Sequence, residues 1–441
     1  MYSTLMKGLV VLFAAVAPLT STCKKMDNKA KENQGEAAAA IQESASEHAP
    51  IVVPEVVEGL DKNPWTPIRL SDAQRRTADS VNAFSLEFMR RIALAEKGND
   101  LMVSPYSLSA CLLLAASGAG GDTFDQMVST LGFAGMEADS VGSFFKTFSD
   151  ALLEADSGST LSVANGIWVG KNVTIFPAYE EAVRKWYSAA VESVDFADRA
   201  TVKMVNDWIE SSTRGMIPGM FSEFSPDLKA LLANAVYFKG SWMNGPYTPF
   251  EATFTDYKGV ASKREFFGDT GFYDYCSGKD GAICRIPYGN GAFNMLVLLP
   301  PAGTDIDKYL ETLTPEKWSA MLRGMRDCKV HFEMPSFKGE TTVSGSLQKS
   351  LEQMGMVLPF TGAADFSKLS PESFFISQIM QRTAVDVNEK GTEAAAVTVI
   401  LMETTSAEPV RTVDFIVNRP FIYAICERTT DIPLFIGIKR L

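Results

Sequence analysis

The sequence predicts a single α+β domain from about residue 70 to residue 441. Apolar residues recur at helical spacing in the first half of this region, whereas alternating and β-branched strand patterns dominate the second half. Between them, residues 231–240 form an apolar run that is long enough for a buried central strand. Helices that come early and strands that come late are typical of an α+β domain.

The helices are predicted from spacings of three and four between apolar residues. The first runs from residue 79 to Gly98, with Val81, Phe84 and Phe88 on one face. The second begins at residues 104–105, where a proline occupies the first turn as helices allow. Further helices are predicted over residues 124–131, 140–153, 177–187, 200–212 and 347–354.

The strands are predicted from apolar alternation and from β-branched runs. The run at residues 231–240 contains Asn234, and a lone amide in a buried strand must find hydrogen-bond partners. Asn234 is therefore predicted to make a specific contact inside the fold. Further strands are predicted over residues 161–169, 293–299, 329–334, 373–388, 413–418, 421–426 and 433–438.

Residues 389–406 favour two conformations. The Ala-rich part from Gly391 to Thr398 suits an exposed loop or a weak helix, whereas the β-branched part suits a strand. At a period of two, one side of the segment is small and uncharged, so nothing on it resists burial. The segment is thus predicted to be a loop in one state and a strand in another. The small side carries Thr392, Ala394, Ala396 and Thr398, and the other carries Glu393, Ala395, Val397 and Val399.

The first 69 residues are predicted to direct and tether the protein. Lys7 and the apolar run after it have the shape of a secretory signal, which is too short to span a bilayer. Small residues before Cys23 resemble a bacterial lipoprotein signal, although Leu19 lies one place earlier than usual; plain secretion is the alternative. We expect a signal peptide over residues 1–22, a lipidated tether over 23–69 and the folded domain over 70–441. The expected location is outside the cytoplasm, as an outer-membrane lipoprotein that faces the cell surface or the periplasm.

Charge and motif content exclude several functions. A net charge of −12 and a pI near 4.9 argue against nucleic acid as a partner, and an acidic face on the helix over residues 140–153 argues against glycosaminoglycans. The two histidines are His48 in the tether and His331 in a predicted strand, where a structural role is favoured over a catalytic one. No metal-ligand, phosphate-loop or dinucleotide motif occurs, so we expect no cofactor, no metal and no enzymatic activity.

The cysteines of the folded domain show no spacing typical of zinc sites or of disulfide frameworks. Cys276 and Cys284 could face each other across a hairpin centred on residues 279–281 and form a disulfide. Free thiols are the alternative, which is favoured because only one such pair presents itself. These cysteines are Cys111, Cys276, Cys284, Cys328 and Cys426.

Several motifs occur in the order in which one protein family has them. The most specific are Asn234-Ala-Val-Tyr-Phe-Lys-Gly-Ser-Trp242, Ala364-Asp-Phe-Ser367, Glu389-Lys-Gly-Thr-Glu-Ala-Ala-Ala396 and Asn418-Arg-Pro-Phe421. The others are Ser104-Pro-Tyr-Ser107, Gly118-Ala-Gly-Gly-Asp-Thr123, Gln126-Met127, Asn206-Asp-Trp-Ile209 and Thr213-Arg-Gly-Met-Ile217. On these motifs the sequence resembles a serpin, over nearly the whole of its folded part.

The resemblance implies the serpin fold, with three β-sheets, about nine helices and an exposed reactive-centre loop. It also implies a suicide-type protease inhibitor that acts as a monomer. A target protease attacks the loop and forms an acyl-enzyme, after which the cut loop inserts into the main sheet and distorts the protease. The alternative within the family is a non-inhibitory serpin that acts as a binding or chaperone-like module.

The same resemblance implies which residues of the reactive-centre loop form the hinge and which form the scissile bond. The hinge starts at Glu389, and counting from it places the scissile bond at Thr405–Ser406, with a slip of one or two residues as the alternative. A small β-branched residue before the cut implies elastase-like or subtilisin-like serine proteases as targets, with papain-like cysteine proteases as a further class. The hinge residues are Glu389, Gly391, Thr392, Glu393, Ala394, Ala395 and Ala396.

Serpins control the opening of the main sheet through a buried polar cluster, which this sequence matches. Gln381 stands where a histidine is common, and because glutamine both donates and accepts, the cluster can persist without pH sensing. Trp242 matches the residue near the top of the sheet where the loop first enters. Ser336 stands where a basic residue often pairs with the hinge glutamate, so the partner of Glu389 stays open. The cluster comprises Ser104, Ser107, Asn234 and Gln381.

Overall fold

The computed structural model describes residues 65–215, 217–392 and 412–440, and the backbone of residues 7–12. Within these ranges the chain forms nine α-helices and sixteen strands, which confirms the α+β class. The helices are α1 (Asp72–Ala95), α2 (Pro105–Ala116), α3 (Gly121–Thr130), α4 (Ala138–Glu154), α5 (Pro177–Tyr187), α6 (Arg199–Ser212), α7 (Ile306–Thr312), α8 (Pro315–Gly324) and α9 (Gly345–Gln353).

Helix α1 begins at Asp72, before the expected start at residue 79. The side chain of Ser71 accepts a hydrogen bond from the amide of Gln74 at 3.3 Å, and the side chain of Gln74 accepts one from the amide of Ser71 at 2.9 Å. This capping box satisfies amides that the first turn leaves unpaired. Polar capping therefore sets the helix start, which the apolar spacing does not reveal.

Seven strands form the first sheet. They are β1 (Lys7–Leu12), β3 (Thr160–Gly170), β4 (Ala190–Val194), β5 (Ala230–Ser241), β11 (Phe337–Val343), β12 (Ile379–Asn388) and β13 (Gly391–Thr392). Both β1 and β13 lie between β12 and β5 and pair with each of them in the antiparallel sense. Strand β11 pairs with the other edge of β12, and β3 and β4 continue the sheet beyond β5.

The other nine strands form one continuous hydrogen-bonded sheet. Their bounds are β2 (Leu101–Val103), β6 (Phe250–Thr255), β7 (Ala261–Gly278), β8 (Gly281–Tyr288), β9 (Phe293–Leu299), β10 (Arg326–Pro335), β14 (Val413–Ile416), β15 (Phe421–Glu427) and β16 (Pro433–Lys439). The long β7 pairs with β6 and β10 along most of its length, and β14 pairs with β10. The end of β7 pairs with β8, from which the same sheet continues through β9, β15, β16 and β2. The resemblance implies three sheets, and in the structure the second and third are joined through β7 into one.

The strand expected over residues 373–388 is shorter in the structure, because β12 begins only at Ile379. Phe374 and Ile376 are buried, yet the amide of Ile376 donates to the carbonyl oxygen of Pro359 at 2.8 Å and not to a neighbouring strand. The apolar pattern of residues 373–378 therefore reflects packing against the core. This part of the strand prediction is wrong.

Helix α2 is the centre of the fold. All of its residues are buried, and it packs between β5 of the first sheet and β16 of the other sheet. On β5, even-numbered residues such as Leu232 and Val236 belong to the main core around α2. The odd-numbered residues Leu231, Ala233 and Ala235 belong to a second apolar cluster on the α6 side of the sheet. The first sheet is thus covered on both faces.

Cys276 and Cys284 lie in the hairpin of β7 and β8 without facing each other. Cys276 is opposite Ile283, and Cys284 is opposite Tyr275, so the two thiols point to opposite faces of the hairpin. Both are free thiols, as are the other cysteines in the described ranges. The favoured interpretation is confirmed, and the disulfide alternative is wrong.

Candidate functional site

The hinge lies where the chain leaves β12 and turns back into the same sheet. After the turn at Glu389 and Lys390, β13 enters between β12 and β5. Thr392 lies opposite Val387 of β12 and opposite Gly240 of β5. Strand β13 is therefore the start of an additional strand that is paired on both sides.

Gly391 is required by the backbone and by the space around it. Its φ of +142° lies in a region that L side chains rarely adopt. A Cβ atom at this position would lie 2.2 Å from the carbonyl oxygen of Gly240. Glycine thus allows β13 to approach β5 closely enough to pair.

Thr392 carries the first side chain of the hinge that is inside the sheet. It is fully buried, and its hydroxyl lies 2.7 Å from the hydroxyl of Tyr288 at the end of β8. Burial raises the pKa of Tyr288 above its usual range, so the phenol stays protonated and either hydroxyl can donate. The small polar side chain at residue 392 therefore has a specific partner.

Trp242 holds the turn through which the chain enters the sheet again. Its indole nitrogen donates to the carbonyl oxygen of Asn388 at 2.8 Å, and its amide donates to the carbonyl oxygen of Lys390 at 3.1 Å. Its ring stacks on that of Tyr288, with centroids 4.4 Å apart. Trp242 thus lies at the end of the first sheet from which the loop leaves.

Gln381 joins β12 to the start of α2. Its side-chain oxygen accepts a hydrogen bond from the amide of Ser104, and its side-chain nitrogen donates to the carbonyl oxygen of Ser104, both at 2.9 Å. The hydroxyl of Ser104 donates to the carbonyl oxygen of Leu434 on β16 at 2.6 Å. Glutamine thus replaces the common histidine with both of its polar atoms paired.

A second chain of hydrogen bonds runs from α2 across β5 and β3 to the end of α5. The hydroxyl of Ser107 donates to the side-chain oxygen of Asn234. The side-chain nitrogen of Asn234 donates to Asn165 at 2.7 Å, and that of Asn165 donates to the carbonyl oxygen of Tyr187 at 2.6 Å. Asn165 belongs to this site although the motifs do not point to it. Its signal in the sequence is the same as that of Asn234, namely a lone amide in a predicted strand.

Strand β1 follows β13 end to end between β12 and β5, and it pairs with them in the same register. Val10 is opposite Gln381 of β12 and opposite Asn234 of β5. The partners of Thr392 are residues 387 and 240, and Gln381 and Asn234 each come six positions before them. The two strands therefore follow one register. We call the space that continues β13, between residues 379–386 of β12 and 230–239 of β5, the slot. One strand fits in it.

These features agree with the comparison to known proteins. A family model described as serpin (serine protease inhibitor) matches residues 79–439. The chain belongs to the serpin family. Serpin-Z1B of Triticum aestivum is 32% identical over 400 residues, which are 84% of this serpin and 96% of that relative. Intracellular coagulation inhibitor 2 of Tachypleus tridentatus is 31% identical over 378 residues, which are 82% and 90% of the two chains. The native state of Tengpin, a thermophilic serpin, matches with a TM-score of 0.74 at 28% identity and covers 87% of this chain and 97% of Tengpin.

The serpin fold places a cleft of about 540 Å³ beside the hinge. Glu389 lines it, and its carboxylate lies 3.8 Å from the ammonium group of Lys390. Ser336 lines the same cleft, and its hydroxyl has no hydrogen-bond partner among the described residues. The charge partner of the hinge glutamate is thus the lysine that follows it.

His331 has a structural environment in β10. Its ring nitrogens lie 2.9 Å from the hydroxyl of Thr270 and 3.2 Å from the carboxylate of Glu333, and its side chain is 38% exposed. The described ranges of the serpin contain no group of three or more His, Cys, Asp or Glu side chains that could hold a metal ion. No helix within them is long and apolar enough to cross a membrane.

The remaining residues that the sequence singles out lie outside the described residues, so their roles stay predictions. They are Cys23, Glu393, Ala394, Ala395, Ala396, Thr405 and Ser406.

Proposed function

We propose that this serpin is a suicide-type inhibitor of serine proteases and that it acts by inserting its cleaved reactive loop into the slot. The observation that carries the proposal is β13. Its residues Gly391 and Thr392 pair with both strands that border the slot. A strand inside a sheet needs hydrogen-bond partners on two sides, and both are in position for the residues that follow. Cleavage further along the loop frees an end that can continue this pairing.

The pairing of β1 supports the proposal, because it fills the slot with an extended segment of the same chain. It pairs with residues 379–384 of β12 and with residues 232–236 of β5. The slot therefore accepts a strand in the register that β13 sets. Residues 7–12 belong to the predicted signal peptide, and its removal leaves the slot to the reactive loop.

The register of β13 assigns partners to the loop residues. Thr398 is six positions after Thr392, so on insertion it comes opposite Gln381 and Asn234. Opposite residues share a face of the sheet, and both of these side chains bond to residues of the α2 region. Thr398 and the alternate residues before it therefore become buried. Their small, uncharged side chains suit that position.

The chemistry begins as ordinary proteolysis. The hydroxyl of the catalytic serine of the protease attacks the carbonyl carbon of Thr405. Its proton passes through the base of the protease to the nitrogen of Ser406, the peptide bond breaks, and Ser406 leaves as a new amino terminus while Thr405 stays bound to the protease as an ester. Loop insertion then competes with the water that would hydrolyse this ester. The threonine before the cut favours elastase-like or subtilisin-like serine proteases. Papain-like cysteine proteases, which form a thioester instead, are a further target class.

The comparisons support inhibition as the general activity, since the family description and the name of the relative from Tachypleus tridentatus both state it. A lipid on Cys23 would hold the inhibitor at the outer membrane, where it meets proteases at the cell surface or in the periplasm. The long tether between Cys23 and the folded domain would let the reactive loop reach them.

The test is incubation of the full chain with an elastase-like and with a subtilisin-like protease, followed by denaturing gel electrophoresis. We expect a complex that survives denaturation, together with loss of protease activity. A protease whose catalytic serine is replaced by alanine is the control and should give no such complex. Cleaved chain with free, active protease across a broad panel would contradict trapping and would favour the binding-module alternative.

A further inference from the structure

A pocket with both apolar and polar walls lies on the α6 side of the first sheet, at the end of the slot that is distant from β13. Its volume is about 290 Å³. It opens between the two strands that border the slot and the segment that follows α6. Its walls include Leu231, Gln378 and Met380 from the sheet side and Met220, Phe221 and Phe224 from that segment.

The wall opposite the sheet is held in place by α6. The side chain of Asn206 donates to the carbonyl oxygen of Phe221 at 2.8 Å and accepts from the amide of Phe221 at 3.0 Å. The ring of Phe221 lies 4.9 Å from that of Phe224, which in turn contacts Phe196. The pocket is therefore built before anything occupies it.

The register of β13 shows which residue of the reactive loop can reach the pocket. Thr392 lies opposite residue 387 of β12 and residue 240 of β5. Leu401 comes nine positions after Thr392. Because both pairings are antiparallel, its partners come nine positions earlier on each side, at Gln378 and Leu231. Both of these residues line the pocket. Strand β1 follows the same register as far as Leu12, opposite Ile379 and Leu232, one position short of the pocket.

The orientation agrees with the register. Leu231 belongs to the apolar cluster on the α6 side of the sheet, and a residue opposite it shares that face. We propose that this pocket receives the side chain of Leu401 when the cleaved loop inserts, and that the filled pocket joins the new strand to α6 through Phe221 and Asn206. This inference rests on the proposed insertion of the loop. Because Leu401 is close to the predicted cut, it reaches the pocket only when insertion is nearly complete.

The chemistry of the pocket selects its occupant. Its walls combine aromatic and aliphatic side chains with the polar residues Ser222, Glu223, Ser225 and Gln378. Burial of a leucine side chain against the apolar part of these walls stabilises the inserted state by the hydrophobic effect. The neighbours of Leu401 in the loop, Ile400 and Met402, come to the opposite face of the sheet on insertion. The loop thus has a large apolar side chain at the position that the pocket requires.

A crosslinking experiment tests the placement. Gln378→Cys is combined with Leu401→Cys, and the matched control combines Gln378→Cys with Met402→Cys. Each protein is cut in the loop with a subtilisin-like protease and oxidised with diamide, and disulfide-linked peptides are identified by mass spectrometry. Residues directly opposite in antiparallel strands are about 4.5–5.5 Å apart at Cα. A register that continues to Gln378, which directly precedes β12, therefore brings residues 378 and 401 within reach of a disulfide. The parent chain, treated identically, shows the background from its own cysteines.

Thermal unfolding of the same samples separates the two proposals. A rise in Tm on cleavage reports insertion, and with it we expect the disulfide at residue 401 and none at residue 402. A rise in Tm with a disulfide at residue 402, or with none at either position, would overturn the assignment of Leu401 and leave the insertion mechanism standing. No rise in Tm would overturn the proposed function and this inference together.

A second variant tests what the pocket contributes. Leu401→Ser should lower the Tm of the cleaved protein by about 4 °C and leave the Tm of the uncut protein unchanged. Leu401→Met, which keeps an apolar side chain of similar volume, should restore most of the loss. Equal Tm values for the cleaved serine, methionine and parent proteins would overturn the pocket as the receiving site.

Discussion

The hydroxyl groups of Thr392 and Tyr288 lie 2.7 Å apart, and both side chains are fully buried. Thr392 is the first hinge side chain inside the first sheet, whereas Tyr288 ends a strand of another sheet. The contact gives the loop a polar anchor at the point where we propose that insertion starts. Substitutions at residue 392 therefore test the hinge without altering the scissile bond.

Thr392→Arg should convert the inhibitor into a substrate. An arginine at this position either buries an unpaired charge, at a cost of about 3 kcal/mol or more, or leaves the sheet. We expect the protease to cut the variant at the normal rate and then to be released, so that the denaturation-resistant complex disappears from gels. Glu393→Arg is the control, because alternation places residue 393 on the opposite face, and this variant should still trap. Undiminished trapping by Thr392→Arg would refute the insertion geometry.

Gly391→Ala should make inhibition less efficient. The added Cβ would lie 2.2 Å from the carbonyl oxygen of Gly240, and the φ of +142° would strain any L residue by about 1–3 kcal/mol. The start of the inserted strand is thereby weakened, so more inhibitor molecules should be cleaved for each protease that is trapped. Titration of protease activity against inhibitor measures this ratio. Gly339→Ala is the matched control, because a Cβ there meets no atom within 4 Å. A ratio that is the same for both variants would contradict the role of Gly391.

Thr405→Arg should redirect the inhibitor to trypsin-like proteases, because the residue before the scissile bond enters the specificity pocket of the protease. We expect association with a trypsin-like protease to become at least ~100-fold faster, and association with an elastase-like protease to slow correspondingly. Stopped-flow loss of protease activity measures both rates. If the same change at residue 404 or 403 produces the switch and Thr405→Arg does not, the scissile bond lies earlier in the loop.

Much of the fold can be predicted from the sequence because burial leaves a local pattern. Strand β9 has the bounds 293–299 that its pattern predicts, since all seven residues are buried and Pro300 follows. The pattern fails where a distant or polar contact decides the structure. The start of α1 depends on the cap at Ser71, and the apolar residues at 374 and 376 are buried without joining a strand.

At the candidate site, too, some residues are predicted by the sequence and others depend on contacts between distant parts of the chain. The motifs point to Gln381, Ser104 and Asn234, and in the structure Gln381 and Asn234 border the slot and bond to Ser104 and Ser107. The motifs do not identify Asn165, because its partner Asn234 is 69 positions away in the sequence and no local spacing indicates that the two side chains are in contact. The pocket near Leu231 leaves no local pattern in the sequence for a related reason, because its walls come from two stretches of the chain, 220–231 and 378–380, that are far apart.

Burial divides the thiols into two groups with different reactivity. It raises the pKa of Cys111, Cys284 and Cys426 above the usual range, whereas Cys276 and Cys328 are only partly buried. Near neutral pH, a thiol reagent should modify Cys276 and Cys328 and leave the other three intact, which peptide mass spectrometry can check. Equal modification of all five in the native protein would contradict the buried environment.

The same pKa shifts predict how stability depends on pH. The three buried thiols keep their protons in the folded state after the unfolded chain has lost them, so the folded state binds more protons above about pH 8.5. The free energy of unfolding should therefore fall as the pH rises through this range. Urea unfolding at about pH 8 and about pH 10 measures the change, and a free energy that rises would have the wrong sign.

Asn165→Ala should destabilise the fold by interrupting the hydrogen bonds between β5 and the end of α5. The substitution leaves the side-chain nitrogen of Asn234 and the carbonyl oxygen of Tyr187 without their partners in a buried site. Loss of such partners costs about 1–3 kcal/mol, so the urea midpoint should fall with little change in the denaturant slope. Asn172→Ala, at an exposed turn, is the control and should change the free energy of unfolding by no more than about 0.5 kcal/mol. An effect of Asn165→Ala as small as that of the control would mean that the amide chain does not contribute to stability. Because Asn165 lies on the side of β5 away from the slot, the variant should still form the protease complex.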